Sequence, residues 1–331
     1  MAKLASRRVL VTGAGGFIGG HLVASLVAEG ARVRAFVRYN SRGDRGTLDS
    51  LDPALVGDVE VVAGELRDVE SVSRAVAGVD VVFHLGAQIA IPYSYVNPRD
   101  FFEVNALGSL NVAQASLAAE VERVIHTSTS EVYGSARAVP ITEDHPLEPQ
   151  SPYAASKVAA DKLMDSFHRA FELPVTVLRP FNTYGPRQSA RAVLPTIITQ
   201  ALAGSTLRLG SLHPRRDLTY VQDTVAGFVA VAEADDEVVG RTLQLGTGTD
   251  VSVGELVQLV GDLLAKELTV ELDAARVRPS AGEVERLLSS PALAGELAHW
   301  TPSVALRDGI ARTIDWIERH GDRYRVGEYA I

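Results

Sequence analysis

The chain of 331 residues contains no cysteine. Disulfides, thiolate nucleophiles, Cys-ligated zinc and iron–sulfur clusters are excluded together. Lysine is nearly as scarce: of 32 basic residues only Lys3, Lys157, Lys162 and Lys266 are lysines, and the rest are arginines. A lysine inside a chemical motif is therefore a rarer coincidence here than usual, and the arginines suit bidentate recognition of phosphate. No apolar run approaches the roughly 18 residues that a membrane span needs. The eight histidines show neither H-x-x-x-H nor H-x-H spacing, so no metal site is expected. A net charge of −9 opposes general nucleic-acid binding. The basic N-terminus is followed by only Val9–Val11 before glycines intervene, which reads as a strand and not as a signal-peptide core. These features predict a soluble, cytoplasmic globular protein that neither binds nucleic acid nor enters a membrane.

What the chain does have is a regular alternation. Residues 7–13, 32–37, 59–63, 80–85, 123–128 and 175–179 read as strands. Residues 18–29, 69–77, 105–119 and 152–171 read as helices between them. Such alternation implies βαβ units and a parallel sheet, and the Val/Ile/Leu runs imply strands covered on both faces. After Arg179, proline and glycine become denser and the elements shorten. A helix at 221–234, another at 254–264, a strand near 268–272 and an amphipathic helix at 306–319 follow. The pattern predicts an α/β protein: a Rossmann-like doubly wound parallel sheet with a smaller interleaved α/β C-terminal substrate domain. The first unit takes 1–179 plus about 220–240, the second about 180–219 plus 241–331.

Gly13, Gly16 and Gly19 form G-x-x-G-x-x-G between the first strand and the first helix. In that context glycines permit a tight turn and close backbone approach to a pyrophosphate, which rests on the N–H groups of the helix start around Phe17 and Ile18. The second strand ends not in the usual acidic residue but near Arg38, Asn40, Ser41 and Arg42. No carboxylate there would bind a ribose 2′-hydroxyl or repel a 2′-phosphate, and the guanidiniums favour NADP over NAD. The other reading of these arginines is solvated loop charge.

Tyr153 and Lys157 lie four apart on a predicted helix and share one face. An ammonium beside a phenol favours the phenolate, so Tyr153 is expected to become a usable base. The strand at 124–128, continuing as Thr129-Ser130-Glu131-Val132-Tyr133-Gly134, would place Ser128, Thr129 and Glu131 at the ligand-binding crevice. Thr129 can bond a substrate hydroxyl opposite Tyr153, and Glu131 sits where a general base is poised. Tyr93 and Tyr95 either line a sugar pocket or pack a loop.

These residues together resemble the extended short-chain dehydrogenase/reductase family that modifies nucleotide sugars. Further matches are His84-Leu85-Gly86-Ala87, Asn105, Arg179-Pro180-Phe181-Asn182-x-x-Gly185-Pro186-Arg187, Arg216-Asp217-x-x-Tyr220-Val221-x-Asp223, Arg278-Pro279 and Trp300-x-Pro302-x-x-x-Leu306. Residues 91–98, 126–134, 189–200 and 209–221 are most similar to nucleotide-hexosamine 4,6-dehydratases of the legionaminic-acid type. The resemblance implies a tightly bound NAD(P) and no metal. It assigns Glu65, Leu66, Leu85 and Ala87 to the cofactor. It assigns Tyr93, Asn105, Ser128, Thr129, Asn182, Arg187, Leu194, Arg216 and Arg278 to the nucleotide sugar. It also implies a homodimer joined through a four-helix bundle of the helices at 105–119 and 152–171.

The reaction implied is 4,6-dehydration of a UDP- or GDP-N-acetylglucosamine-type substrate to a 4-keto-6-deoxy sugar. Thr129, Ser130, Glu131, Tyr153 and Lys157 would form the catalytic set. One departure stands out: many 4,6-dehydratases carry Asp immediately before the Glu, and here it is Ser130. Alternatives are a 4-epimerase, which does not need Glu131, a UDP-glucuronate decarboxylase, and a non-catalytic dinucleotide sensor, which would not need the Thr129/Tyr153/Lys157 relay.

Overall fold

The first half of the chain repeats one physical pattern, a short Val/Ile-rich run followed by a helix, and each run becomes a strand. A computed structural model describes residues 3–277 and 282–324. The strands are β1 (Arg8–Thr12), β2 (Arg32–Arg38), β3 (Glu60–Gly64), β4 (Val81–His84), β5 (Arg123–Thr127), β6 (Val175–Pro180) and β7 (Thr242–Leu245). They form one parallel sheet in the order β7-β6-β5-β4-β1-β2-β3. The order reverses at β1 and β4, which opens a crevice at their carboxyl ends. The last of these strands carries the sheet beyond the boundary near residue 240 expected from sequence, because Thr242–Leu245 pairs with β6.

Strand alternation sends neighbouring residues to opposite faces. Val9 and Val11 pack with Leu22, Leu26 and Phe228, whereas Leu10 between them packs with Val72, Val112 and Met164. Helices α1 (Phe17–Ala28) and α6 (Val221–Glu233) therefore cover one face. Helices α2 (Val69–Val76), α3 (Gly108–Ala118) and α4 (Pro152–Phe171) cover the other. The start of α4 has a clear local cause: the Ser151 hydroxyl accepts from the Ala154 N–H at 3.1 Å, and Pro152 occupies the first helical position, where no N–H is needed.

Two segments near the crevice differ from the sequence reading. Thr129–Gly134 does not extend β5. Ser130–Tyr133 is a single 3₁₀ turn, capped by Thr129, whose hydroxyl accepts from the Glu131 N–H at 3.2 Å. The helix expected from 105 begins instead as a π-helical stretch, Phe102–Leu107, which runs into α3. Single π turns often occur at functional positions.

The remaining elements include α5 (Val193–Ala203), α7 (Val253–Leu264), α8 (Leu306–Arg319), several shorter helices, two short strand pairs and a small three-stranded sheet. Here several motif residues turn out to hold the fold. The fully buried Asp217 carboxylate accepts from the Thr247 and Gly248 backbones and from the Ser289 hydroxyl, at 2.8, 3.0 and 2.5 Å. Asp223 ties down the C-terminal segment: its carbonyl takes the Trp300 indole N–H at 2.9 Å and its carboxylate takes the Ser303 hydroxyl at 2.8 Å. Among the described residues, no helix is long and apolar enough to cross a membrane, and no cluster of three or more His, Asp or Glu could hold a metal ion.

Candidate active site

The glycine turn sits at the carboxyl end of β1. Gly13 has φ +69°, and a Cβ there would lie 2.8 Å from the Gly86 backbone. At Gly19 a Cβ would lie 2.2 Å from the Gly13 carbonyl oxygen. Gly16 caps α1 without a side-chain hydrogen bond, and the first turn, with Phe17 and Ile18, has no acidic residue. The positive end of the helix thus faces the crevice with backbone donors and no competing anion, a donor set that fits a dinucleotide pyrophosphate. Gly19→Ala is expected to cut retained dinucleotide at least tenfold, because the turn must open to admit the methyl. Nicotinamide released on denaturing the purified variant measures this, and wild-type occupancy would contradict it.

At the end of β2 and just beyond it, Arg38, Asn40, Ser41 and Arg42 are all exposed. Asn40 folds the loop itself: its carbonyl oxygen accepts from the Arg42 and Asp44 N–H groups at 3.1 Å each, and its amide donates to the Asp44 carbonyl at 2.6 Å. Thr47 seats the loop on the glycine turn, donating its N–H to the Gly15 carbonyl at 2.9 Å and its hydroxyl to the Gly16 carbonyl at 2.6 Å. Leu66 is buried and would touch any side chain placed at Gly86 or Gly108. Glu65 beside it pairs with Arg67 at 3.3 Å, and Leu85 and Ala87 are half-buried at the end of β4.

The reactive side chains converge between the end of β5 and the start of α4. Tyr153 is 8% exposed and Lys157 4%. The Tyr153 ring stands edge-on to Phe101 at 6.3 Å between centroids, and Phe101 meets Tyr93 at 6.1 Å. Tyr93 therefore belongs to an aromatic string that ends on the Tyr153 phenol. Burial pushes the Tyr153 phenol well above its ordinary value, the Thr129 hydroxyl pulls it down, and the negative charge of Glu131 pushes it up. This corrects the expectation that Lys157 makes the phenol a ready base. The Lys157 ammonium donates instead to the Thr127 carbonyl at 2.7 Å, and burial lowers its own pKa to about 8.

One turn further along α4, Asp161 was not singled out by sequence, although its spacing of four from Lys157 puts it on the same helical face. Its carboxylate accepts from the Ser128 hydroxyl at 2.8 Å and from Arg179 at 3.0 and 3.3 Å. Arg179 also donates to the Tyr133 hydroxyl at 2.9 Å, and Gln244 donates to the same oxygen at 2.7 Å.

The other expected substrate residues divide. Asn105 is fully buried and its amide is consumed within the protein. It accepts from the Gln88 N–H at 2.7 Å and donates to the Gln88 carbonyl and the Ser156 hydroxyl, each at 2.9 Å. It supports the crevice wall and has no donor left for a sugar. The Ser128 hydroxyl likewise turns inward to Asp161, and the Leu194 side chain lies in the core. Asn182, by contrast, has a buried carbonyl oxygen with no hydrogen-bond partner among the described residues. Arg187 bonds Ser50 at 3.2 Å and lies over Trp316 at 6.0 Å, in a cleft of about 710 Å³ that also includes Gly15, Thr47 and Arg323. Arg216 donates to the Arg215 carbonyl at 3.0 Å and faces Glu283 at 3.5 Å. Arg278 lies outside the described residues.

A parallel sheet with a crevice at its switch point, an uncapped helix start at a glycine turn, and a buried Tyr153/Lys157 pair define a dinucleotide-dependent enzyme of the short-chain dehydrogenase type. Comparison with known proteins narrows this. The family model for GDP-mannose 4,6 dehydratase matches residues 10–313. A UDP-glucose 4-epimerase of Mycolicibacterium smegmatis is 34% identical over 93% of this chain and 98% of its own length. The dTDP-glucose 4,6-dehydratase of Streptomyces venezuelae, solved with NAD bound, has a TM-score of 0.84 at 30% identity, covering 95% of this chain and 98% of that one. A UDP-glucuronic acid 4-epimerase of Bacillus cereus, also solved with NAD, has a TM-score of 0.86 at 26% identity, covering 95% and 99%. The chain belongs to the extended short-chain dehydrogenase/reductase family of nucleotide-sugar dehydratases and epimerases.

Proposed function

We propose that this enzyme is a nucleotide-sugar 4,6-dehydratase that converts a UDP- or GDP-N-acetylglucosamine-type substrate to the 4-keto-6-deoxy sugar. The observation that carries this reading is Glu131. It follows the Thr129 cap on the 3₁₀ turn, close enough for its charge to act on the Tyr153 phenol. A carboxylate at that corner serves a proton abstraction that simple 4-epimerisation does not require. When bound, a nicotinamide dinucleotide supplies a reversible hydride acceptor. The chain's own groups manage the protons. Tyr153 takes the O4 proton while Thr129 bonds that oxygen. Once C4 is a ketone, the C5 proton is acidic and Glu131 removes it. The C6 hydroxyl departs with a proton from Glu131 or from water, since Ser130, buried beside it, is a poor acid. Return to C6 of the hydride taken from C4, with a proton delivered to C5 from Glu131 or water, would complete the 4-keto-6-deoxy sugar with net loss of one water and no net redox change.

A second reading, 4-epimerase, is favoured by Ser130: where many dehydratases pair an acid with the Glu, this turn carries one carboxylate. We also propose that Arg38, which ends β2, and Arg42 beyond it, both exposed, would take a 2′-phosphate and so favour NADP. The homodimer we propose uses α3 and α4, near which Phe102, Leu107 and Phe171 expose apolar surface. Incubation with UDP- and GDP-N-acetylglucosamine, with product mass followed, tests the main reading. Loss of one water is expected. Unchanged mass with altered retention would establish epimerisation in its place, and loss of CO₂ from UDP-glucuronate would establish decarboxylation.

A further inference from the structure

Beneath the proposed reactive corner lies a group of buried ionisable side chains, of which the proposed chemistry uses only Lys157. Asp161, Arg179, His126 and Lys157 are each no more than 5% exposed. They come from three different elements, α4, β5 and β6. Burying an ammonium is costly unless a compensating charge stands nearby. The groups facing Lys157 can be enumerated by element. On α4, Tyr153 lies one turn before Lys157 and Asp161 one turn after it on the same helical face; His126 and the Thr127 carbonyl approach from β5, His84 acts from β4, and Arg179 lies behind Asp161 on β6. Glu131 from the 3₁₀ turn and Asp161 from α4 both act on Tyr153, each favouring the protonated phenol. Of the charged groups, Arg179 repels an ammonium. Burial lowers the pKa of both histidines, so each is neutral near neutral pH and offers Lys157 no counter-charge.

Asp161 is left as the counter-charge within the buried group. Its carboxylate cannot swing away. Ser128 and Arg179 hold one oxygen, and His126 stands 3.3 Å from the other. It does not easily take up a proton either: burial favours its protonated form, but His126, Arg179 and Lys157 together outweigh burial and hold its pKa down to about 2.

We propose that Asp161 is a positioning residue that acts through Lys157: clamped by Ser128 and Arg179, it supplies the buried counter-charge that keeps the Lys157 side chain an ammonium beside Tyr153. This rests on the reading of Tyr153 and Lys157 as the proton-handling pair. A purely structural role, neutralising Arg179, is the competing account. It predicts loss of stability on substitution but no change in how Lys157 titrates.

The scarcity of lysine makes the test direct. With lysine labelled uniformly in ¹³C and ¹⁵N, the intact chain gives four side-chain signals, Lys3, Lys157, Lys162 and Lys266, and Lys157→Arg identifies one of them. In the wild type the Lys157 signal should titrate near 8, in keeping with its burial. In Asp161→Asn its midpoint should fall by about one unit or more, a tenfold loss of proton affinity, as expected when an opposite charge nearby is removed. Asp161→Glu, which keeps the charge, should hold the midpoint within a few tenths of wild type. A midpoint unchanged in Asp161→Asn would overturn the proposal. Should that variant not fold, because Arg179 is then buried without its partner, Asp161→Asn/Arg179→Met removes both charges together and leaves none unpaired. There the midpoint should lie about one unit or more below that of Arg179→Met, which has lost the same repulsion but keeps Asp161, and a midpoint equal to that of Arg179→Met overturns the proposal. The titration needs no substrate. Wild-type protein inactive on nucleotide sugars would refute the dehydratase reading and leave this result standing.

Discussion

Tyr153→Phe is expected to lower kcat on a nucleotide sugar by about a thousandfold or more, within the range that a positioned acid–base group contributes. The fold should survive, because the ring keeps its edge-on contact with Phe101 and only one oxygen is lost. The reasoning starts from the phenol's surroundings. Burial and the Glu131 and Asp161 charges favour the protonated form, and the Thr129 hydroxyl is the group that opposes them. The phenol thus begins as a proton donor and hydrogen-bond partner. It becomes an acceptor only when positive charge is brought close. Lys157 is held one turn away with its ammonium on the Thr127 carbonyl, and the ring of an oxidised nicotinamide would add a second positive charge. Removing the oxygen leaves the O4 proton without a destination, so dehydration, epimerisation and decarboxylation should all stop. A steady-state assay paired with a thermal melt checks this. A variant melting within a few degrees of wild type but active within tenfold of it would remove Tyr153 from the shared first step.

Much of this site was legible in the sequence, and the parts that were not share a physical cause. The glycine turn, Tyr153 and Lys157 announce themselves by spacing along single elements, and spacing within a helix or a turn is fixed by local geometry. The same holds for the strands through β6, each of which is a compact apolar run. Strand β7 was placed in the other unit because Thr242–Leu245 is four residues long and no longer apolar run marks it. Asn105 and Ser128 were expected to face substrate because their elements lead to the crevice. Which way a short polar side chain turns depends, however, on partners remote in sequence: Gln88 and Ser156 for one, Asp161 for the other. The turn after Thr129 illustrates the same limit. A Ser-Glu-Val-Tyr stretch following a strand reads as more strand, until the Thr129 hydroxyl captures the Glu131 N–H and closes a 3₁₀ turn. Asp161 could have been found from its spacing, but its partners Arg179 and Ser128 lie on two other strands' ends, and no pattern along the chain joins them.

Glu131→Gln separates the two leading readings of the chemistry, and its expected effect is second only to that of Tyr153→Phe. The substitution conserves shape, and the backbone N–H that Thr129 caps is untouched, so the 3₁₀ turn and the position of the side chain should persist. An amide cannot accept the C5 proton at neutral pH. If the enzyme is a 4,6-dehydratase, water loss should therefore slow by about a hundredfold to ten-thousandfold. Oxidation at C4 uses Tyr153, Lys157 and Thr129 and should continue. It should even become a little easier, since removing the negative charge near the phenol lowers the cost of forming phenolate. Single-turnover experiments should then show nicotinamide absorbance rising to a reduced form that persists, as the 4-ketone waits without a base to carry it forward. Under the epimerase reading the same variant should interconvert the C4 epimers at close to the wild-type rate, because that reaction never breaks the C5–H bond. Water loss at an undiminished rate would deny Glu131 the role of base and shift the search to a water molecule held at the Ser130 turn.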